Sequence, residues 1–260
     1  MIITLLSDFG YQDNFIAVAK GILLQQLPAA RLIDLNHEVE PFHLLQCSYL
    51  LKSAYADFPG FTVHLSLFDI LHTHPARLLI TRMGDHFIIC ADNGLLPLSF
   101  GEKLGPVYSL PETAASYVEW LYLAAGFIKK LEVSAFSLEG LSEVTPKENP
   151  SGLKALIKGD ALECQVIHID RYENVVINIT REQFDEQRKG RDFQISFARD
   201  SINKISERYS DVPEGEKLCL FNSAGYMEIA INHGQAASLL GLRLYRERQL
   251  VYQNIKIDFI

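Results

Sequence analysis

An apolar run from Ile2 to Leu6 ends in the polar turn Ser7-Asp8-Phe9-Gly10, and apolar residues at helical spacing follow from Phe15 to Leu23. This order predicts a strand, a turn and a helix, the unit from which open α/β sheets are built. Ligands of such sheets bind outside the carboxyl ends of the strands, so Asp8 is placed to meet a polar ligand group. The alternative is that Asp8 only caps the turn or the helix.

Composition excludes several classes of protein. The 260 residues are 48% hydrophobic, enough for one large core or two ordinary ones, and a formal charge of −8 disfavours nucleic acid as a partner. No apolar run approaches a membrane span and no secretory signal pattern is present, so we expect a cytoplasmic protein without a membrane partner. The four cysteines are far apart in apolar surroundings, which indicates buried free thiols and no metal site.

The first half of the chain alternates strand and helix patterns. Strands are predicted at 2–6, 31–35, 62–68, 78–81 and 86–90, and helices at 15–23, 41–55 and 114–131. This alternation predicts an α/β domain with a mostly parallel sheet over residues 1–145.

A polar, proline-containing segment predicts a linker at 146–152. Short β-rich runs follow at 159–170, 174–179, 192–197, 217–221, 226–231 and 249–257. They predict a second domain, residues 153–260, that is an all-β barrel, with a sandwich as the related alternative.

Polar residues directly follow the predicted strands in both domains. In the first they include Asp8, Asp69 and Asn93, and in the second they lie at 170–174 and 222–226. Each motif alone is ordinary turn chemistry. Together, and in this order, they indicate a binding cleft between domains or between subunits.

Read in order, these motifs resemble the S-adenosylmethionine hydroxide adenosyltransferases, which are related to the fluorinating and chlorinating S-adenosylmethionine enzymes. The resemblance covers nearly the whole chain. The matching segments are Ser7-Asp8-Phe9-Gly10 with Asp13, Lys20-Gly21-Ile22, Ile33-Asp34-Leu35-Asn36-His37, Pro41-Phe42, Phe58-Pro59, Thr62-Val63-His64, Asp92-Asn93-Gly94-Leu95-Leu96, Asp170-Arg171-Tyr172-Glu173-Asn174, Asn178-Ile179 and Asn222-Ser223-Ala224-Gly225-Tyr226-Met227-Glu228-Ile229-Ala230.

The resemblance implies a homotrimer that binds S-adenosylmethionine where the first domain of one subunit meets the second domain of the next. It implies hydrolysis by water to adenosine and methionine, without a further cofactor. Asp8 would bind the ribose hydroxyls and Phe42 would pack against the ligand. The other substrate-binding candidates are Asn93, Asp170, Tyr172, Asn174, Asn222 and Ser223.

The sequence departs from the family pattern at the residues that position the attacking water. Family members carry Asp-Pro-Gly-Val-Gly and then an Arg, whereas this chain has Asp69, no glycines, and Arg77 about one position late. The segment 115–120 lacks the family's histidine. Asp69, Arg77, His72 and His74 are therefore the catalytic candidates, with either histidine as a general base.

The predicted function is S-adenosylmethionine binding with hydrolysis to adenosine and methionine. One alternative is an adenosyl-binding or nucleoside-binding protein that has lost turnover. The other is a different nucleophile, such as a halide, on the same scaffold.

Overall fold

The computed structural model describes residues 1–148, 155–197, 200–244 and 255–260. The chain divides into two compact units, Met1–Ser151 and Gly152–Ile260. The predicted linker at 146–152 lies partly outside the described residues. No helix in the described part of the chain is both long and apolar enough to span a membrane.

The first unit contains seven strands and four α-helices among its described residues. The strands are β1 (Ile2–Leu6), β2 (Arg31–Asn36), β3 (Val63–Ser66), β4 (Ala76–Met83), β5 (His86–Ala91), β6 (Val107–Ala114) and β7 (Ser142–Glu143). The helices are α1 (Phe15–Gln26), α2 (Leu44–Ala54), α3 (Leu95–Phe100) and α4 (Tyr117–Val133). Helix α2 begins at Leu44 rather than at Pro41, because His43 accepts the backbone N–H of Gln46 and caps it.

The strands form one sheet in the order β2-β1-β3-β5-β4-β6-β7. The first four are mutually parallel, whereas β4, β6 and β7 pair antiparallel. The expected mostly parallel sheet is therefore a mixed one. The reason is local: β4 and β5 form a hairpin whose turn contains Gly84 at a φ of 61°, a conformation that glycine adopts without strain.

Apolar cores cover both faces of this sheet. Side chains of α1 and α4 pack on one face, where Trp120 is completely buried, and side chains of α2 and α3 pack on the other. The central strands consequently read as continuous apolar runs, since both of their faces are buried. This three-layer arrangement leaves the ends of the strands as the places where polar side chains can gather.

A buried histidine pair lies in the same sheet. His64 Nδ1 is 2.8 Å from the Thr4 hydroxyl, and His64 Nε2 is 3.3 Å from His86 Nδ1. Burial and then the neighbouring His86 lower the pKa of His64 to about 3. His64 is therefore neutral in the folded protein at pH values where an unfolded chain would protonate it.

Because the unfolded chain binds this proton and the folded chain does not, stability is expected to fall as the pH drops below about 6.5, continuing toward pH 3. In His64→Gln, which retains a hydrogen-bonding side chain but does not titrate, the loss between pH 7 and pH 5 should be smaller by roughly 2 kcal/mol. Urea unfolding at both pH values measures this difference. The exposed His233→Gln serves as the control, and equal losses in wild type and His64→Gln would contradict the assignment.

The described residues of the second unit form two antiparallel sheets. The first has the order β10-β11-β15-β14 and the second β13-β12-β16-β9-β8. The strands are β8 (Leu156–Lys158), β9 (Ala161–Cys164), β10 (Val166–Ile169), β11 (Val175–Thr180), β12 (Phe193–Phe197), β13 (Asp200–Ile202), β14 (Lys217–Phe221), β15 (Tyr226–Ile231) and β16 (Ile255–Phe259). Residues 249–254 of the last predicted strand lie outside the described residues.

The all-β barrel prediction is corrected in two respects. Among the described residues no strand ladder joins the two sheets into a closed barrel. Two helices, α5 (Arg181–Arg188) and α6 (Ala236–Leu240), also belong to this unit. Helix α5 begins with a capping box, in which Thr180 and Gln183 satisfy each other's backbone N–H groups.

Candidate active site

The candidate site of the first unit lies at the edge of the sheet where β1, β3 and β5 end. These strands are parallel neighbours, so their carboxyl ends meet. Asp8 follows β1, Asp69 follows β3 and Asp92 directly follows β5. The sheet thus brings the predicted residues Asp8 and Asp69 to one edge, at the position where α/β proteins bind ligands.

Asp8 is a partly buried carboxylate under opposing influences. Burial raises its pKa above the ordinary value, and the charge of Asp69 raises it further, while backbone N–H groups oppose the shift. One of these N–H groups belongs to Phe42 and is 3.2 Å from Asp8 Oδ2. Phe42 adopts a φ of 62° and its side chain is 76% exposed. Its ring is consequently available for an apolar ligand surface near the carboxylate.

Buried polar groups anchor the turn that carries Asp8. Ser7 Oγ lies 2.8 Å from His37 Nδ1, and the backbone N–H of Gly10 donates to the His37 carbonyl at 2.7 Å. His37 Nε2 is 3.1 Å from Asp34 Oδ1. Burial lowers the pKa of His37, although the Asp34 carboxylate opposes that shift. The Ser7 and His37 side chains that hold the turn are therefore buried away from a ligand.

Asp69 belongs to a hydrogen-bonded chain with His72 and Lys147. Asp69 Oδ2 is 2.7 Å from His72 Nδ1, and His72 Nε2 is 2.6 Å from the Lys147 ammonium. An ammonium group can only donate, so Nε2 accepts and the ring proton is on Nδ1, which donates to Asp69. His72 thus orients the carboxylate. Asp69 itself has a φ of 41°, which is an uncommon conformation for a residue other than glycine.

Arg77 and Asp92 lie beside the hydrogen-bonded series of Asp69, His72 and Lys147, and Asp92 holds the backbone of Lys147. Strand β4 runs antiparallel to β5, so Arg77 near its start lies at the same edge of the sheet. The guanidinium of Arg77 donates to Asp92 Oδ2 in a charge-assisted hydrogen bond. Asp92 Oδ1 accepts the backbone N–H of Lys147 at 2.8 Å. The segment that supplies Lys147 is thereby attached to the sheet edge.

The structure gives different positions to the remaining candidates of the first unit. His74 is exposed, and its side chain has no hydrogen-bond partner among the described residues, so His72 is the histidine beside Asp69. Asn93 is buried and donates to the Phe68 carbonyl at 2.8 Å. The Asn93 side chain therefore acts as a tether between the ends of β3 and β5. No group of three metal-ligating side chains occurs in the described ranges.

Aromatic residues lie next to the polar groups at this edge. The rings of Phe9, Phe15 and Tyr117 are 5.2 to 5.8 Å apart between centroids. Tyr117 donates its hydroxyl to the Phe15 carbonyl at 2.9 Å. The segment that lacks the family's histidine therefore contributes an aromatic surface. Its Ser116 caps α4 by accepting the backbone N–H of Glu119.

In the second unit, Asp170 organises a tight turn. Its Oδ1 accepts the backbone N–H groups of Tyr172 and Asn174 at 2.9 and 2.8 Å, and its Oδ2 accepts the Asn174 side-chain amide at 3.0 Å. Glu173 has a φ of 62°, and the Tyr172 side chain is 76% exposed. The turn thus fixes Asn174 and projects the Tyr172 ring to the surface of this unit.

A second turn of this unit, from Asn222 to Tyr226, is fixed in a similar way. Asn222 Oδ1 accepts the backbone N–H groups of Ala224 and Tyr226 at 3.1 and 3.2 Å. Its side-chain amide is 3.3 Å from Glu228 Oε2. Burial raises the pKa of Glu228, although hydrogen bonds from Tyr209 and Asn222 oppose this. Ser223 is exposed at the tip of the turn.

Both halves of the chain match models of one protein family. Residues 3–119 match the SAM hydroxide adenosyltransferase N-terminal domain, and residues 164–249 match the C-terminal domain of that family. The chain belongs to the SAM hydroxide adenosyltransferase family. The resemblance predicted from the motifs is therefore confirmed.

Relatives of this adenosyltransferase-family chain are similar over nearly their whole length. A protein named (R)-S-adenosyl-L-methionine hydrolase from Methanocaldococcus jannaschii is 27% identical over 262 residues, which is 96% of each chain. A protein of the same name from Thermus thermophilus is 29% identical over 254 residues, or 92% of this chain and 94% of that one. A fluorinase from Actinoplanes sp. is 22% identical, covering 89% and 91%.

Solved structures agree with the fold. An uncharacterized conserved protein from Thermotoga maritima has a TM-score of 0.79 at 24% identity, with 99% of this chain and 100% of that chain covered. A conserved hypothetical protein from Thermus thermophilus has a TM-score of 0.68 at 23% identity, with 99% of each chain covered. This similarity concerns the fold alone.

The sequence did not single out Lys147 as a site residue, and it placed Asp92 among the polar candidates at strand ends without assigning it a role. Lys147 lies 55 residues after Asp92 in a segment predicted to be only a linker, so no local pattern marks it. Asp92 follows an apolar run, which marks it as a polar residue at a strand end. Its pairing with Arg77 can be inferred only when β4 is known to run antiparallel to β5. The turn residues Met83-Gly84-Asp85, which separate the predicted strands 78–81 and 86–90, were the available signal for that antiparallel pair.

Proposed function

We propose that this protein hydrolyses S-adenosylmethionine to adenosine and methionine. The observation that carries the proposal is the pair of carboxylates at one sheet edge, where Asp8 is partly buried and Asp69 is oriented by His72 and Lys147. The family and the names of the relatives support the reaction. Those names also specify the (R) form as the substrate of the relatives, and we propose the same form here.

Each residue at this edge has a proposed role. Asp8 accepts hydrogen bonds from the two ribose hydroxyls, and the exposed Phe42 ring covers an apolar face of the ligand. Asp69 accepts a hydrogen bond from the attacking water and takes its proton. His72 stabilises and orients the Asp69 carboxylate, and Arg77 acts through Asp92 to hold the segment that bears Lys147.

The reaction is a single displacement. Oxygen of water forms a bond to the ribose 5′ carbon while the bond between that carbon and sulfur breaks. The electron pair of the broken bond goes to sulfur, so the sulfonium leaves as the neutral thioether of methionine. The water proton goes to Asp69. The negative charge of Asp69 helps to raise the pKa of Asp8, and a sulfonium cation bound beside the two carboxylates would relieve that repulsion. The site therefore favours this substrate electrostatically.

The decisive assay is incubation of the purified chain with each sulfonium form of S-adenosylmethionine, followed by chromatography of adenosine and methionine in equal amounts. Product from the (R) form is the expected result. Binding without product would instead assign the chain to the alternative of a nucleoside-binding protein. Release of halogenated nucleoside when chloride or fluoride replaces water as nucleophile would assign the second alternative.

Adenosine affinity is expected to decrease as the pH is lowered through the raised pKa of Asp8, because the protonated carboxyl no longer accepts from both ribose hydroxyls. The decrease should therefore begin at a higher pH than for an ordinary aspartate. Asp69→Asn removes a neighbouring like charge and should move the midpoint to lower pH. Calorimetric titration with adenosine across a pH series measures both midpoints. Coincident midpoints would show that the Asp69 charge does not act on Asp8.

We also propose that the second unit completes the site with Asn174, Tyr172, Asp170, Asn222 and Ser223, across the interface of a homotrimer. Asp8→Ala and Asn174→Ala should each be inactive alone. When equal amounts of the two variants are mixed, denatured and refolded together, about one quarter of the sites should regain activity. Each site combines the first unit of one subunit with the second unit of the next, and in a random trimer each of these is intact in about half of the cases. Failure of mixing to restore activity, with a trimer verified by light scattering, would place the site within one subunit.

A further inference from the structure

We propose that a cavity at the opposite edge of the first unit's sheet binds a small zwitterion with an apolar body, namely a free α-amino acid with a long apolar side chain. The cavity has a volume of about 540 Å³, within the range of small-molecule sites, and its lining includes Ile2, Arg31, Phe61, Glu132 and Phe136. Strands β1 and β2 begin here, whereas Asp8 lies beyond the other end of β1. The inference does not depend on the proposed reaction.

Two phenylalanines form one wall of this cavity in strained conformations. Phe61 and Phe136 have φ angles of 63° and 65°, and their ring centroids are 5.1 Å apart. Bulky residues rarely adopt positive φ angles, and such outliers concentrate at functional sites. Hydrogen bonds hold both backbones in place: the Phe61 N–H donates to the Asp85 carbonyl at 2.7 Å and the Phe136 N–H to the Leu131 carbonyl at 2.8 Å. The aromatic wall is therefore preformed.

The Phe136 ring is also stacked on the buried Phe87, at a centroid distance of 5.3 Å. Phe61, in contrast, is 47% exposed. The core thus fixes one ring, and that ring supports the second, whose outer face is open. An apolar ligand group in the cavity would cover that face without requiring the fold to rearrange.

Opposite charges lie on the wall of the same cavity without being paired. Among the described residues, the side chains of Arg31 and Glu132 form no ion pair or hydrogen bond, either with each other or with a third group. A guanidinium can hold a carboxylate with two parallel hydrogen bonds, and a carboxylate accepts from an ammonium group. The two side chains therefore match the two charged groups of a free amino acid.

An adjoining hollow offers space for the side chain of that amino acid. It has a volume of about 300 Å³, shares Ala29 and Glu132 with the first cavity, and is lined further by Leu27, Pro28 and Val133. Its lining is mainly apolar, and Val133 is among the most exposed hydrophobic residues of the unit. Glu132 therefore lies between two spaces: the first also contains Arg31 and the two phenylalanine rings, and the second is mainly apolar but also contains Lys129.

The test is calorimetric titration of the full chain with L-phenylalanine, a probe chosen because it is not a product of the proposed reaction. Binding is expected to weaken about tenfold in Arg31→Gln and in Glu132→Gln, since each loses one charge-assisted contact. The matched control is Lys130→Gln, an exposed charge on α4 that does not line the cavity. N-acetyl-L-phenylalanine and L-phenylalaninamide, which each lack one charge, should bind about tenfold more weakly to the wild type.

Asp8→Ala distinguishes this site from the candidate active site. It should leave L-phenylalanine binding unchanged even if it abolishes adenosine binding, so the two proposals can fail separately. Loss of L-phenylalanine binding in Asp8→Ala, equal affinity in wild type and Arg31→Gln, or no binding at millimolar L-phenylalanine would each overturn the inference. Equal binding of the neutralised analogues would also overturn it, since the site would then be only an apolar groove.

Discussion

Asp69→Asn is expected to lower kcat for S-adenosylmethionine hydrolysis by about 10²–10⁴-fold, the usual contribution of a general base. The amide has the size of the carboxylate but cannot take the proton of the attacking water. Adenosine has no sulfonium, and its 5′ hydroxyl, which contains the oxygen of the attacking water, can still form a hydrogen bond with the amide. Its affinity near neutral pH should therefore change little. Chromatographic assay of turnover, beside calorimetry with adenosine, separates the catalytic role from binding.

The control is Asp85→Asn, which removes an exposed carboxylate at the β4–β5 turn that pairs with Arg82. It should leave turnover at the wild-type level. If Asp69→Asn retained wild-type kcat, another group would have to activate the water. The hydrogen bonds that link Asp69, His72 and Lys147 would then play no role in catalysis. If Asp69→Asn lost adenosine affinity as strongly as turnover, Asp69 would be a binding residue instead.

The positions of Asp8 and Asp69 could be predicted because they depend on local patterns. An apolar run followed by a polar turn indicates a strand end, and parallel strands bring such ends to one edge. The register between β1 and β3, in which Leu6 pairs with Ser66, then determines the neighbourhood of the two turns. Local patterns therefore placed each carboxylate at a strand end, whereas the pairing of β1 with β3 became known only from the structure.

The choice between His72 and His74 could not be made from the sequence. Both lie on a loop without the family's glycines, and spacing alone allowed either to approach Asp69. The structure distinguishes them by backbone direction: the loop turns back at once, with the His72 N–H donating to the Asp69 carbonyl at 3.2 Å, and this brings the His72 ring onto the carboxylate. Such a turn depends on the positive φ of Asp69, which no residue pattern indicated.

In the second unit the strands could be predicted from the sequence, but the way they pair and one of the helices could not. Its strands were visible as short apolar runs, but closure into a barrel depends on pairing between distant strands, which periodicity does not encode. Helix α5 was missed because only one of its residues, Phe184, is buried. A short helix with so narrow an apolar face has a weak hydrophobic pattern, and its start is marked instead by the capping box at Thr180.

Asp8→Ala is expected to lower adenosine affinity by roughly 10²–10⁴-fold, because hydrogen bonds from two ribose hydroxyls to a charged acceptor are lost together. Hydrolysis of S-adenosylmethionine should fall at least as far in kcat/KM. The comparison ligand is 2′,3′-dideoxyadenosine, which has neither hydroxyl and should bind equally weakly to wild type and Asp8→Ala. A double-mutant cycle of protein and ligand isolates the contact.

The same substitution should not lower the melting temperature appreciably. Burial and the Asp69 charge raise the pKa of Asp8, so its ionised form is less favourable in the folded chain than in the unfolded chain, and its removal relieves that strain. The loss of the acceptor for the Phe42 N–H acts in the other direction, and this exposed turn can give that N–H to water. If Asp8→Ala retained wild-type affinity for adenosine, the proposed contact between Asp8 and the ribose hydroxyls would be refuted. The unfavourable burial of this carboxylate would then have no explanation in ligand binding.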